Sequence, residues 1–379
     1  MFHFLNFWGG RSTFYEMADL IAPIYSKRQI VEAGKAIRDG VPYDPDRLHE
    51  AKEVFNVIHN WRACHLLPMQ HMRRELIGKA GSVCSGATTA ARMKRLLSIR
   101  RKLRSAPYTF FQMQDIAGCR AIVDSVQQVK DISGIYKKKG IHEYRGEDDY
   151  ISSPRETGYR SHHLIYRYVG TGEYVSLNKK PIIIEIQIRT RLQHAWATAV
   201  EAVGMVNGED NKGGYGNEDW LRLFALMSSE IAREEGCGIV PGTPEDGGER
   251  KSEIVNLDRK LRALETLSSY NKAFKIAENI IKPGSKFYFI TFDSKKNTVS
   301  VSPVSRGVSM TGYEYAEKNE GDNTVLVEVD RAADLRTAYP NYFLDVDLFC
   351  SRLREIVKPT PKRSLELDWL RKAIEGWRK

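Results

Sequence analysis

Within the decamer PIIIEIQIRT, residues 181–190, apolar and polar residues alternate strictly from Ile184 to Arg189. In an extended chain Ile184, Ile186 and Ile188 fall on one side, and Glu185, Gln187 and Arg189 on the other. Three isoleucines on one face need a core to cover them, so the segment is expected as a central, well-buried strand of an α/β or α+β protein. The other face carries a carboxylate, an amide and a guanidinium. On a solvent-facing strand these would be ordinary surface groups; on a central strand they form a polar wall on a rigid element, where catalytic geometry is best kept.

Helical patterns surround this strand. From Thr13 to about Gly78 the chain is expected as a helical N-terminal layer, with a capped start at Asp44 to Arg47 and apolar residues Leu48, Ala51, Val54, Phe55, Ile58 and Trp61 at helical spacing. A basic helix is expected between Thr88 and Leu103, followed by strands in GCRAIVD, YRSHHLIYRYV and PIIIEIQI. The fold class is therefore α+β: a mixed sheet flanked by helices, ending near Glu235. GCGIVPGTPEDGGE, residues 236–249, is dense in Gly, Pro and acids and is expected as a linker. Ile254, Leu257, Leu261, Leu264 and Leu267 predict one amphipathic helix running to about Ile281, stopped at Pro283. KFYFITFD, NTVSVSPV and NTVLVEVD predict a small antiparallel sheet at about 283–330, and Leu367, Leu370, Ile374 and Trp377 a closing helix. The expected domains are 1–235, a linker 236–249, and 250–379.

The chain has 379 residues, 42% of them hydrophobic, enough for two domains with their own cores. A formal net charge of +10 suits a phosphate-rich partner, whether nucleotide, RNA or anionic membrane surface. No run of about 18 apolar residues is present, and MFHFLNFWGGRS lacks a signal-peptide pattern, so a cytoplasmic protein without membrane contact is expected. The five cysteines (Cys64, Cys84, Cys119, Cys237, Cys350) are scattered with no CxxC pair, which argues for reduced thiols.

Three further segments carry chemistry. ARMKRLLSIRRKL, residues 91–103, holds Arg92, Lys94, Arg95, Arg100, Arg101 and Lys102 with no acid among them. On a helix, Leu96, Ile99 and Leu103 would pack while Lys94, Ser98, Arg101 and Lys102 share the opposite arc, free to meet either water or phosphates. QDIAGCRAIVD supplies Asp115, then Gly118 for a close approach, then Arg120 on a strand; Asp115 could equally be a turn residue. DYISSPRETGYRSHHL places Tyr159 and Arg160 at the entry to a strand, as site groups or as surface groups. There is no Walker A pattern, so phosphate binding would fall to side-chain cations.

Together these four segments resemble the RelA/SpoT synthetase family over roughly residues 88–204. ARMKRLLSIRRK is similar to its R-x-K-x-x-x-S-I-x-x-K signature, with Arg92, Lys94, Ser98, Ile99 and Lys102 in register. QDIAGCR resembles its D-x-x-G-x-R motif, DYI..P...GYRS.H its acceptor-side loop, and EIQIRT...HAWA the strand and helix closing the site. The resemblance implies a pyrophosphokinase that moves the β,γ-pyrophosphate of ATP to a ribose 3′-hydroxyl with magnesium. It implies Asp115 and Glu185 as magnesium ligands and Glu185 as base. Lys94, Ser98, Lys102 and Arg92 would hold ATP phosphates, with Arg120 at the ATP end. Tyr159 would stack on the acceptor base, with Arg160, Gln187, Arg189 and His194 as supporting acceptor-side groups.

Two acceptors fit such a core: GDP or GTP, giving (p)ppGpp, or the 3′-terminal adenosine of tRNA. ATAVEAVG after Trp196 lacks the His-Lys pair expected after Glu201 in small alarmone synthetases, which weakens the nucleotide acceptor. All nine histidines precede Ala195 and only Cys237 and Cys350 follow it, so no Cys/His zinc site is expected in the later sheet. A metal-free, zinc-finger-like insert followed by Tyr339-Pro340-Asn341-Tyr342 resembles the fused toxin-antitoxin proteins called CapRel. That likeness implies that Tyr339 and Tyr342 block the ATP site until a phage capsid protein binds, and a monomer is compatible with it. For tRNA, Lys27, Arg28, Lys137, Lys138 and Lys139 are the candidate phosphate contacts.

Overall fold

The computed structural model describes residues 20–41, 48–138, 140–207, 214, 216–273, 275–277, 287–293, 298–304, 324–328, 346–359 and 374. The expected helix start at 44–47, Lys139, Tyr339, Tyr342, and Leu367, Leu370 and Trp377 of the closing stripe lie outside the described residues.

The helical N-terminal layer consists of α1 (Lys27–Asp39), α2 (Leu48–Ala63) and α3 (Leu66–Val83). Ser26 starts α1 with a capping box shared with Gln29. On α2, Val57, Ile58 and Trp61 are buried at the expected helical spacing. This layer packs on a sheet whose strand order is β3-β4-β5-β2-β1-β9-β7-β8-β6. Its strands are β1 (Thr88–Met93), β2 (Ala117–Val123), β3 (Glu143–Asp149), β4 (His162–Arg167), β5 (Ile183–Thr190), β6 (Lys275–Ala277), β7 (Phe287–Asp293), β8 (Thr298–Val304) and β9 (Thr324–Glu328). The architecture is thus mixed α+β, a sheet flanked by helices.

β5 is the buried central strand that the alternation predicts. It pairs parallel with β2 and antiparallel with β4, and Ile184, Ile186 and Ile188 are all fully buried. The isoleucine face shares one core with α3 and with α5 (Val126–Lys138), whose Val129 and Ile132 are fully buried. The polar face is left for the site.

The expected basic helix over 88–103 is corrected. Thr88–Met93 is a strand, paired antiparallel with β2 from Thr88–Ile122 to Met93–Ala117, and α4 (Leu96–Ser105) begins only after Arg95, whose backbone is extended. Two β-branched threonines and two small alanines open the segment, which suits a paired strand as well as a helix; the partner strand decides.

Beyond β5 come α6 (Arg191–Asn207), α7 (Glu218–Glu234), α8 (Gly247–Leu261), α9 (Ala263–Ala273) and α10 (Asp347–Val357). They enclose a second core holding Trp196, Phe224, Ile254, Leu267 and Phe349. The single helix expected from 254 to 281 is corrected. It breaks at Arg262, which is left-handed (φ 49°), where the Asp258 carboxylate accepts the Leu264 N–H, and the second helix ends at Ala273. Residues 236–249 pack against α7: the Ser229 hydroxyl bonds Thr243 at 2.7 Å, and Arg222 donates to the Gly242 carbonyl.

The C-terminal strands also differ from expectation. β7 pairs antiparallel with β8 and β9 as predicted, but β6 is parallel to β8, and β9 joins β1 at Ala91–Glu328 and Arg92–Val327. They continue the sheet that carries β5, because the far edge of β1 offers β9 unpaired backbone groups. Among the described residues, no helix is long and apolar enough to cross a membrane.

Behind the sheet, Glu75 on α3 contacts His142 at 3.0 Å and Lys79 at 2.9 Å. Burial alone would raise its pKa; His142 and Lys79 outweigh that and hold it at about 2, against an ordinary 4.5. A depressed carboxyl stabilises the fold above its unfolded pKa, and this is lost as pH falls from about 4.5 through about 2. Glu75→Gln should therefore cost on the order of 2 kcal/mol at neutral pH, discounted for partial exposure. Urea unfolding along a pH series should show the gap to wild type closing as acid is added.

Candidate active site

The register of three strands builds the site. Across the antiparallel β1–β2 pair Ala90 faces Arg120 and Arg92 faces Gly118; across the parallel β2–β5 pair Gly118 faces Glu185 and Arg120 faces Gln187. Partners in register point to the same face, so Arg92, Arg120, Glu185 and Gln187 surround a floor of alanine and glycine. That floor is tight: a Cβ on Gly118 would sit 3.3 Å from the Glu185 carbonyl oxygen. The resulting open cleft is lined by Ala90, Arg92, Lys94, Asp115, Arg120 and Glu185 among others.

Asp115 lies just before β2 and Lys94 just after β1. The Lys94 ammonium is 2.9 Å from Asp115 Oδ2, and Lys102, from α4, reaches the same oxygen at 2.7 Å. Burial would raise the Asp115 pKa, but the two ammonium groups outweigh it and keep the carboxyl ionised well below the usual range. Lys94 responds oppositely, its pKa lowered chiefly by burial, while for Lys102 the pull of Asp115 outweighs burial and raises it. The other Asp115 oxygen, Oδ1, is buried and has no hydrogen-bond partner.

Glu185 is held from two sides. Its Oε1 lies 2.9 Å from His163 Nδ1, and its Oε2 accepts the Gln187 amide at 2.6 Å. His163 Nε2 in turn bonds the Tyr159 hydroxyl at 2.8 Å. Burial disfavours the imidazolium, yet Tyr159 and Glu185 outweigh it and move the His163 pKa up to about 9. Glu185 is correspondingly lowered, His163 overcoming the effect of burial. The sequence left His163 without a role, although it is the last residue of the GYRS.H motif; what hid it was the register of β4, which places it opposite Gln187.

Of the residues expected at the site, Arg92, Lys94, Asp115, Arg120, Glu185 and Gln187 line one cleft, and Lys102 joins through Asp115. Ser98 lies in the first turn of α4 and is not among the lining residues. Tyr159 is buried among Tyr150, His163 and Trp196. Arg189 is buried against His194, and its Nε and Nη1 have no hydrogen-bond partner. Burial, then neighbouring Arg120, lower its pKa to about 9. Arg160 is buried against Glu235, 2.7 Å away, and Glu235 also accepts from Thr190 and Gln193. Exposed Lys27 and Arg28 sit on α1, and exposed Lys137 and Lys138 on α5, where Lys137 pairs with Glu147.

The donor set fits a magnesium ion: two ionised carboxylates on one cleft, one with an unsatisfied buried oxygen, and room left for phosphate and water oxygens. Among the described residues no group of three or more His, Cys, Asp or Glu side chains could hold a metal.

Residues 91–204 match the family described as "Region found in RelA / SpoT proteins". Its relatives include the "GTP pyrophosphokinase YjbM" of Bacillus subtilis (strain 168), 38% identical over 113 residues, which cover 28% of this chain and 51% of that protein. The "GTP pyrophosphokinase" of Escherichia coli (strain K12) is 27% identical over 229 residues, 57% of this chain and 28% of that one. The chain thus spans about half or less of the length of these relatives. Among solved structures, the small alarmone synthetase 1 from Bacillus subtilis bound to its product pppGpp aligns with a TM-score of 0.37 and 25% identity, over 45% of this chain and 91% of that one.

The Arg160–Glu235 pair ties the loop before β4 to the end of α7. Glu235→Ala leaves a buried guanidinium without its carboxylate and should destabilise the protein by about 3–5 kcal/mol, read by denaturant unfolding.

Proposed function

We propose that this chain is an ATP-dependent pyrophosphokinase that transfers the β,γ-pyrophosphate of ATP to a ribose 3′-hydroxyl. The observation that carries the reading is the meeting of Lys94, Asp115 and Glu185 in one cleft, walled by Arg92 and Arg120. In the transfer the 3′-oxygen bonds the β-phosphorus, the bond from that phosphorus to the α,β-bridging oxygen breaks, and AMP leaves. Such chemistry depends on alignment and on neutralising phosphate charge. Asp115 and Glu185 would hold magnesium, which supplies part of that neutralisation.

The protein's own groups supply the rest. Lys94 and Lys102, which both reach Asp115, would hold the ATP phosphates, with Arg92 beside them and Ser98 at the start of α4. Arg120 serves the ATP end. Glu185, kept ionised and oriented by His163 and Gln187, receives the hydroxyl proton. Tyr159 and His163 lie on the acceptor side, supported by Arg160, Arg189 and His194, and turning the Tyr159 ring out of its packing would offer a base a stacking surface.

For the acceptor we favour the 3′-terminal adenosine of tRNA, whose modification would halt translation; the +10 net charge and the absent His-Lys pair after Glu201 support it. Lys27, Arg28, Lys137, Lys138 and Lys139 are the first phosphate contacts to neutralise. A guanosine acceptor, GDP or GTP, is the second reading, favoured by relatives whose names are those of GTP pyrophosphokinases. In the first reading Tyr339 and Tyr342 restrain the enzyme until a phage capsid protein engages the C-terminal region.

Purified Glu185→Gln and Asp115→Asn should lose transfer of labelled pyrophosphate from ATP while keeping a wild-type circular-dichroism spectrum; retained transfer by Glu185→Gln refutes the assignment. Parallel incubations with tRNA and with GDP or GTP, with and without capsid protein, decide the acceptor. The Tyr339→Ala/Tyr342→Ala double variant should arrest growth of its host without phage, and normal growth on strong induction counts against the restraint.

A further inference from the structure

The Lys94–Asp115 pair is set by main chain as much as by side chain. Lys94 lies in the two-residue link between β1 and α4, where neither strand nor helix fixes the backbone. Its N–H donates to the carbonyl of Ile116, the neighbour of Asp115, at 2.8 Å. Its carbonyl accepts from Arg62 Nη2 on α2 at 3.1 Å. With both backbone groups engaged, the direction of the side chain is largely decided.

Arg62 is fully buried, on a helix whose neighbouring Val57, Ile58, Trp61 and Ala63 are apolar and buried. A leucine or methionine would fill that volume without the cost of taking a guanidinium out of water. The carbonyl of Lys94 gives a cation at this place an acceptor to reach. The preceding residue strengthens the point. Trp61 stacks on Phe111 at 5.3 Å and 16°, and Phe111 lies in the 3-10 turn Phe110–Gln112 that leads into Asp115. Consecutive residues of α2 therefore brace the two arms of the pair, one through the Lys94 carbonyl and one through the approach to Asp115.

We propose that Arg62 is a positioning residue for the phosphate-binding end of the cleft: it sets the Lys94 backbone so that the ammonium stands over Asp115 and over the phosphates that replace it. This rests on the pyrophosphokinase reading above and places part of the ATP site in the N-terminal helical layer, outside the residues that match the RelA/SpoT region.

Arg73 is the matched control. It is equally buried, on α3, and its Nη2 donates to the carbonyl of Thr89 at 3.4 Å, near the opposite end of β1 from Lys94. Arg73 reaches β1 near its start, whereas Arg62 reaches the link that follows β1, at Lys94 itself. Calorimetric titration with a non-hydrolysable ATP analogue and magnesium should find Arg62→Met weakened about tenfold and Arg73→Met within about twofold of wild type, although both lower Tm. Arg62→Lys, which keeps the charge but loses the planar fork, should fall between, weakened about threefold. Equal affinities for Arg62→Met and Arg73→Met, or wild-type binding by Arg62→Met, overturn the proposal. Should Arg62→Met not fold, Arg62→Lys bears the test, and wild-type affinity in it has the same force. Wild-type protein that binds no analogue and transfers no pyrophosphate defeats the pyrophosphokinase reading itself, whereas binding that ignores Arg62 defeats the positioning role alone.

Discussion

The parallel register of β2 on β5 is the constraint on which the site depends. It sets Gly118 beside Glu185 and Arg120 beside Gln187, and a shift of one residue would turn the carboxylate into the isoleucine core. Gly118 is part of the same constraint. A side chain there would press on the Glu185 backbone and fill the floor of the cleft, so the absence of a Cβ is what lets two charged walls stand apart with space between them. Ala90, facing Arg120 from β1, acts in the same sense on the next pair.

Charge follows from that geometry. Arg92, Lys94, Lys102, Arg120 and Arg189 converge on a region where Asp115 and Glu185 are the carboxylates of the cleft. Each carboxylate is spoken for by cations: Asp115 by two lysines, Glu185 by His163. Burial first, and then the neighbouring cations, lower the pKa values of Lys94 and Arg189, so a further positive group in this partly buried space is costly.

Much of this was legible in the sequence, and the parts that were not have a common cause. The alternation in PIIIEIQIRT identified β5 and its two faces because its period needs no partner to be read. The motif likeness singles out Lys94, Asp115 and Glu185, which line one cleft. What depends on which strand lies next to which could not be read. Thr88–Met93 looked helical until β2 is placed beside it, and His163 gains meaning only from a register that sets it across from Gln187. Arg160 resembles an acceptor-side arginine by position, while its partner Glu235 lies 75 residues later, at an expected boundary, and only the fold joins them. Arg62 carried no signal, since a lone arginine on an amphipathic helix is ordinarily read as a surface group.

The C-terminal region reaches the site by two routes of different physical character. β9 supplies backbone to the outer edge of β1 beside Arg92, a directional contact that either forms or does not. α10 works through packing: Phe349 meets Phe224, Phe224 meets Trp196, and Trp196 meets Tyr159, each pair of rings 5.8–6.4 Å apart. Between them, Gly158 sits with φ +91° where a Cβ would come within 2.9 Å of the Trp196 ring, so the acceptor-side loop is seated on α6 without slack. Because close-packed interiors repack in steps and do not yield gradually, displacing α10 would require Tyr159 or Trp196 to change rotamer. The first route therefore bears on the Arg92 side of the cleft and the second on the Tyr159 side, so a change in the C-terminal region could act on one side without acting on the other.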